Sequence, residues 1–181
     1  MNDSQLLLVY LSILVALLAG VGWFLFRQIF KTRRVEGTMT RLQNKLNEGT
    51  GTAKEHYELG SILLDKQLYK PAIAQFQKAL KAKDLEGSEN IAIIYNALGF
   101  TYAAQEQYDL AIKQYKEALE LQTGYSTAWN NLGFAYEKKQ LTTQALEAYD
   151  ESLKSDPKNA TAKRRSASLR KRLVPSSGVA E

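Results

Sequence analysis

Few side chains in this sequence are equipped to make or break bonds. There is no cysteine and a single histidine, His56. Thiol catalysis, thiolate metal sites, iron–sulfur clusters and disulfides are excluded by composition. One imidazole without further ligands at suitable spacing makes no metal site, and no Ser-His-Asp arrangement is legible around it. The acids mostly share helix faces with lysines, as Glu120 does with Lys116. That is the pattern of a solvated surface. Gly49-Thr50-Gly51 follows no strand and lacks the Lys-Ser/Thr ending of a phosphate loop. The expectation is a protein that is not an enzyme and needs no cofactor or metal. The chemistry that remains is recognition. Asn96 is followed four positions later by Phe100, and Asn130 by Phe134. A carboxamide both donates and accepts, so it pairs with a peptide backbone of any sequence. A phenyl ring four residues on, one helical turn away, offers apolar contact beside it.

These pairs sit inside a pattern that occurs three times. It reads Leu59-Gly60, Ala72, Phe76, Ala79-Leu80, then Leu98-Gly99, Ala111, Tyr115, Ala118-Leu119, then Leu132-Gly133, Ala145, Tyr149, Ser152-Leu153. The second and third copies are 34 residues apart and the first and second 39, so five residues are inserted between the first two. Leu, Ala and aromatics recur three and four apart within each copy, which is helical spacing, and no run alternates with period two. The small residues Gly60 and Ala72, Gly99 and Ala111, Gly133 and Ala145 are expected where two helix backbones approach. Tyr95, Tyr102, Tyr115, Trp129, Tyr136 and Tyr149 are expected to fill the space between repeats. His56 occupies the aromatic position held by Tyr95 and Trp129 in the other copies, so packing accounts for it.

The period, with Trp129, Leu132, Gly133, Tyr136, Ala145, Tyr149 and Pro157 in the third copy, resembles the tetratricopeptide repeat (TPR). The resemblance implies helical hairpins stacked into a superhelix whose concave side is lined by the first helix of each pair. With Ala53, Ala92 and Ser126 as first positions, the fifth are Tyr57, Asn96 and Asn130 and the ninth Ser61, Phe100 and Phe134, with Lys138 beyond. These positions resemble the peptide-contacting ones of TPR proteins. The chaperone-tail clamp of that fold has Lys and Asn where Tyr57 and Ser61 stand here, so that role is not implied. The alternative for Phe100 and Phe134 is packing against a C-terminal helix lying in the groove.

Residues 6–26 contain no charge, and fourteen of them are Leu, Ile, Val or Phe. At about 1.5 Å per residue they span roughly 31 Å, close to the ~30 Å hydrocarbon core of a bilayer. No basic residue precedes the stretch and no A-x-A site follows it, unlike a cleaved signal peptide. Residues 1–34 are read as a membrane anchor. Arg27, Lys31, Arg33 and Arg34 follow the apolar stretch, which places the repeats on the cytoplasmic side or its plastid counterpart, the stroma. Tyr10 and Trp23 sit near the two ends as interfacial aromatics. Ser12, Ala16 and Gly20 form a small-residue strip on which another membrane helix could pack.

The remaining organisation follows from composition. Residues 35–52 read as a linker with a short helix at 40–46 and a flexible break at 49–52. Residues 53–157 hold three repeats, 53–86, 92–125 and 126–159, with 84–90 as the inserted loop. Residues 158–174 read as a basic capping helix and 175–181 as a disordered tail. The net charge of +5 is uneven. Residues 1–48 carry six Lys/Arg against three acids, 49–157 eleven against fifteen, and 158–181 seven against one. In the tail, Ala162, Ser166, Leu169 and Leu173 form one narrow apolar stripe amid Lys163, Arg164, Arg165, Arg170, Lys171 and Arg172. This is the form of a cap with a polar outer face; contact with anionic lipid is the alternative. Nucleic acid ranks below both, because no stacking platform accompanies the charge.

The fold class is therefore all-α, with an N-terminal transmembrane helix, three TPR helix pairs and a capping helix. The anchor runs into FLFRQIFKTRR (24–34), RLQNKL (41–46) and three repeats, all within about 180 residues. This arrangement resembles the membrane-anchored TPR proteins of cyanobacterial and plastid thylakoids that assist photosystem I assembly. The resemblance implies a non-catalytic scaffold, single-pass in the thylakoid membrane, that binds photosystem I subunits or assembly intermediates. A general membrane-tethered co-chaperone or translocon accessory is the alternative.

Overall fold

The computed structural model describes residues 3–49 and 51–173. Every regular element among them is an α-helix: α1 (Asp3–Asn47), α2 (Ala53–Asp65), α3 (Tyr69–Lys81), α4 (Ser88–Ala104), α5 (Tyr108–Leu121), α6 (Ser126–Lys138), α7 (Thr142–Ser155) and α8 (Ala160–Leu173). The expected tail at 175–181 lies outside the described residues. The chain divides into two compact units at residues 45/46.

The second unit is a TPR superhelix. Helices pair as α2/α3, α4/α5 and α6/α7; α3 packs on α4, α5 on α6 and α7 on α8. The first helices also touch one another, α2 on α4 and α4 on α6, so they line one face together. The glycines explain how each pair closes. A Cβ on Gly60 would sit 2.7 Å from the Phe76 ring, on Gly99 2.6 Å from Tyr115, and on Gly133 2.9 Å from Tyr149. Each glycine is thus the seat of an aromatic ring from the second helix of its own repeat. This corrects the sequence expectation in part: Tyr115 and Tyr149 fill the inside of a repeat rather than the space between repeats. All three rings are fully buried.

The turn inside every hairpin is the same. Gln67, Glu106 and Gln140 take positive φ of 60°, 59° and 61°. The next residue's N–H reaches back to a carbonyl five earlier: Leu68 to Leu63 at 2.8 Å, Gln107 to Tyr102 at 3.0 Å and Leu141 to Tyr136 at 2.9 Å. This is the Schellman closure, which satisfies carbonyls left over at a helix end.

The five-residue insertion is not all loop. α4 has 17 residues against 13 in α2 and α6, so most of the insertion adds a turn to the start of α4. Ser88–Asn90, expected in a loop, are helical. What remains of the loop returns to the first repeat. The Asp84 carboxylate accepts from the Ala53 N–H at 3.0 and 3.2 Å. With the Thr52–Glu55 capping box, this satisfies the start of α2.

α8 closes the other end. Asn159 caps it by accepting from the Ala162 N–H at 3.1 Å and donates to Ser152 Oγ at 3.1 Å. Ala162, Ser166 and Leu169 are buried as the stripe predicts, but Leu173 is exposed.

In the first unit, α1 is one 45-residue helix. The linker expected from residue 35 is helical through Asn47. Thr32, Thr38 and Thr40 donate to carbonyls four residues earlier, each at 3.0 Å, instead of interrupting the ladder. The chain turns at Glu48–Gly49, where Gly49 has φ 78°. Among the described residues this is the one helix long and apolar enough to cross a membrane, and its apolar window has no buried residue.

Candidate functional site: a groove on α4, α6 and α8

α4 and α6 carry the same register, and their ninth positions, with the fifth position of α6, line one pocket. Phe100, Asn130 and Phe134 line a concave pocket of about 390 Å³ with Ala103, Thr161 and Arg165. Phe100 is 51% exposed. Asn130 Oδ1 is buried and has no hydrogen-bond partner. A desolvated carbonyl acceptor left unpaired costs free energy that an incoming N–H would recover. Lys138 Nζ lies 5.5 Å from the centre of the Phe134 ring, a cation–π contact.

Asn96 is engaged otherwise. Its Nδ2 donates to Tyr125 Oη at 3.3 Å, and its Oδ1 accepts from Asn131 Nδ2 at 3.0 Å. The two asparagines that look equivalent in sequence therefore differ: Asn96 ties the second repeat to the third, and Asn130 keeps an open acceptor. Burial raises the Tyr125 phenol above its ordinary pKa, with nearby Tyr57 acting in the same direction and the Asn96 hydrogen bond opposing them.

α8 forms one wall of the pocket without filling it. It presents Thr161 and Arg165, polar groups, beside the phenyl rings. Arg165 is held by Glu137, Nη1 to Oε1 at 3.0 Å, while Tyr149 Oη donates to the other carboxylate oxygen at 3.1 Å. The Tyr149 phenol is pushed well above its ordinary range, first by burial, then by the Glu137 charge and hydrogen bond, with Arg165 opposing. It stays a donor near neutrality.

The first-repeat residues lie apart. Tyr57 lines a second pocket of about 440 Å³ with Lys54, Leu85, Asn90, Ile93 and Ile94, built partly by the insertion. Its ring lies 5.7 Å from that of Phe76. Ser61 Oγ donates to the Tyr57 carbonyl at 2.9 Å on its own helix. His56 Nδ1 pairs with Gln75 Oε1 at 2.8 Å. On α1, Ser12, Ala16 and Gly20 are exposed, and a Cβ on Gly20 would meet nothing within 4 Å.

Sequence reasoning missed Asn131, Tyr125 and Arg165. The Asn130-Asn131 doublet was a usable signal for the first. Arg165 had none, because five similar charges surround it and its partner Glu137 lies 28 residues away.

Comparison with known proteins places this geometry. Two tetratricopeptide-repeat profiles match residues 52–123 and 96–160. MamA has the same fold, with 21% identity and TM-score 0.70 over 78% of this chain and 80% of that one. So does the first TPR domain of RPAP3, solved with an HSP90 peptide: 20% identity, TM-score 0.61, 67% of this chain and 92% of that one. The latter is little more than the repeats, so a unit of this size stands alone. Sequence relatives include the ycf37 protein of Cyanophora paradoxa, 40% identical over 62% of this chain and 63% of that protein. The chloroplastic TPR protein PYG7 of Arabidopsis thaliana is 39% identical over 98% of this chain, a match that must run through α1, and 58% of its own length. The ycf37 protein of Pyropia yezoensis is 31% identical over 66% of this chain and 69% of that protein. The chain thus spans about six-tenths of the first two relatives. With the repeats matched by both profiles and these relatives aligned, one of them through α1, the chain belongs to the ycf37/PYG7 family of tetratricopeptide-repeat proteins.

Proposed function

We propose that this chain is a membrane-tethered, non-catalytic scaffold that holds an extended protein segment in the groove of α4, α6 and α8 during the assembly or stabilisation of photosystem I. The observation that carries the groove reading is the buried, unpaired Asn130 Oδ1 in the pocket that Phe100 and Phe134 also line. A peptide N–H would complete it while an apolar side chain covers Phe100 and Phe134. The photosystem assignment draws support from the family, from a chloroplastic relative aligned through α1, and from the sequence resemblance.

The anchor reading draws support from α1. The large apolar side chains of Leu7 and of residues from Tyr10 to Phe30 are half or more exposed, a surface that water does not favour and lipid does. Arg27, Lys31, Arg33 and Arg34 favour the cytoplasmic or stromal side for the repeats. The strip of Ser12, Ala16 and Gly20 would admit a second membrane helix.

The test is recovery of partners from detergent-solubilised membranes. Phe100→Ala with Asn130→Ala should lower recovery at least tenfold while leaving the melting temperature nearly unchanged, since one residue is half exposed and the other's acceptor is unpaired. Full recovery would remove the groove from the mechanism. In a deletion strain, selective loss of photosystem I supports the proposal; loss across many membrane complexes supports the co-chaperone alternative. Extraction of the full chain by alkaline carbonate would refute the anchor.

A further inference from the structure

α8 contains six Lys/Arg and no acid in 14 residues, and the structure divides those charges by task. Two arginines on the flanks turn inward. Arg165 binds Glu137 at 3.0 Å and Arg170 binds Asp150 at 2.7 Å. They hold the helix against α6 and α7. The other four, Lys163, Arg164, Lys171 and Arg172, are exposed and make no ion pair among the described residues. At about 100° per residue, Arg164 and Lys171 project within roughly 20° of each other, opposite the buried stripe of Ala162, Ser166 and Leu169. Lys163 and Arg172 flank them. Between them stand only Ala167 and Ser168.

We infer that this outer face of α8 docks on an anionic lipid bilayer. The patch is basic, smooth and free of large apolar groups. It has no aromatic platform for stacking bases and no apolar anchor of the kind that dominates protein interfaces. A delocalised sheet of negative headgroups needs neither, only accessible positive charge. The repeats add direction. Residues 49–157 carry eleven Lys/Arg against fifteen acids, so the same bilayer repels the body while it attracts the terminal helix. The inference rests on the anchor reading only for proximity: a tether in the same chain raises the concentration of headgroups around the patch.

The test uses residues 46–181, a compact unit of the size that stands alone in related folds, so that α1 plays no part. The unit is mixed with vesicles of phosphatidylcholine, or of phosphatidylcholine doped with phosphatidylglycerol, and floated. It should float with the anionic vesicles only, and molar salt should release it. Lys163→Gln, Arg164→Gln, Lys171→Gln and Arg172→Gln together should weaken flotation at least tenfold while leaving the melting temperature unchanged, because none of the four side chains has an ion-pair partner among the described residues. Flotation by the quadruple variant equal to the parent overturns the inference. So does equal binding to neutral vesicles, or tighter binding to a short DNA duplex or a polyglutamate peptide than to anionic vesicles at matched salt. Any of these leaves the anchor and groove readings intact, since both are tested separately on the full chain.

Discussion

α1 and the repeat body use the same apolar residues to opposite ends. Trp23 and Phe24 on α1 are 70% and 65% exposed, whereas Phe76 and Tyr115 in the repeats are 0% and 1% exposed. Hydrophobicity does not separate them. The difference is whether a neighbouring backbone makes room. In each repeat a glycine opposes the ring, and the ring fills the space its missing Cβ leaves. A Cβ on Gly20 or Gly22 of α1 would meet nothing within 4 Å. One region carries its own packing partner in sequence, 16 residues away in every copy. The other leaves its apolar surface exposed.

The sharpest way to break that contrast is to put the same side chain into both glycine positions. Gly99→Val places a branched carbon where the Tyr115 ring stands 2.6 Å away and the Ala111 carbonyl 3.1 Å away. The ring is wedged in the core and the carbonyl is backbone, so neither yields cheaply. Overpacking of this kind costs about 1–3 kcal/mol, or roughly 2–8 °C in melting temperature for each kcal/mol in a unit of this size. Gly20→Val should leave the melting of the repeats, followed by far-UV circular dichroism, unchanged. Equal losses from the two substitutions would end the distinction between a seat and an open face.

A smaller effect is expected at the cap. Tyr149→Phe removes the donor to Glu137 but leaves Arg165 on the same carboxylate. The loss should be about 1.5 kcal/mol, the low end for a bond to a charged acceptor, because the carboxylate keeps Arg165. The pH dependence has a definite sign. The unfolded phenol titrates near its ordinary value of 10.0, while burial and Glu137 hold the folded one above that. Above pH 10 the unfolded chain alone releases this proton, so the contribution of the phenol is full below pH 10 and is lost as pH rises through the folded value. Tyr149→Phe should therefore flatten the alkaline decline seen in the parent. An unchanged slope would show that Tyr149 does not couple to the fold through its proton.

What the sequence disclosed follows the same division between periodic and singular features. The three hairpins were legible because each copy repeats its spacing, and the apolar stripe of α8 because helical geometry fixes it. The glycine seats were half legible: small residues were expected at close contacts, but spacing does not say whether a helix or a ring comes close. The continuity of α1 past residue 34 was not legible, since polar residues and Gly37 look like a break when only local composition is weighed. The groove was legible as a register and not as a network. Asn96 and Asn130 occupy equivalent positions, and only the neighbours Tyr125 and Asn131 decide that one is spent between repeats and the other is left open. Neither neighbour belongs to the repeating pattern.

The smallest expected change tests a feature that no residue type advertises. Gln67, Glu106 and Gln140 stand in left-handed conformation at the end of each first helix, where glycine is the usual occupant. Their side chains are exposed, and the closure is made by main-chain groups, as in the Gln140 N–H to the Glu137 carbonyl at 3.0 Å. Replacing Gln140 by glycine removes the steric cost of a Cβ at positive φ but adds freedom to the unfolded chain. At these exposed turns the first effect is about 1 kcal/mol and the second about 0.5–1 kcal/mol, so the net gain should be no more than about 0.5 kcal/mol. The three sites belong to different turns and share no side-chain partner, so the gains should add when all three are changed. A drop in denaturation midpoint for Gln140→Gly would mean that the side chain holds the turn, and that the three hairpins share a backbone for reasons other than their common closure.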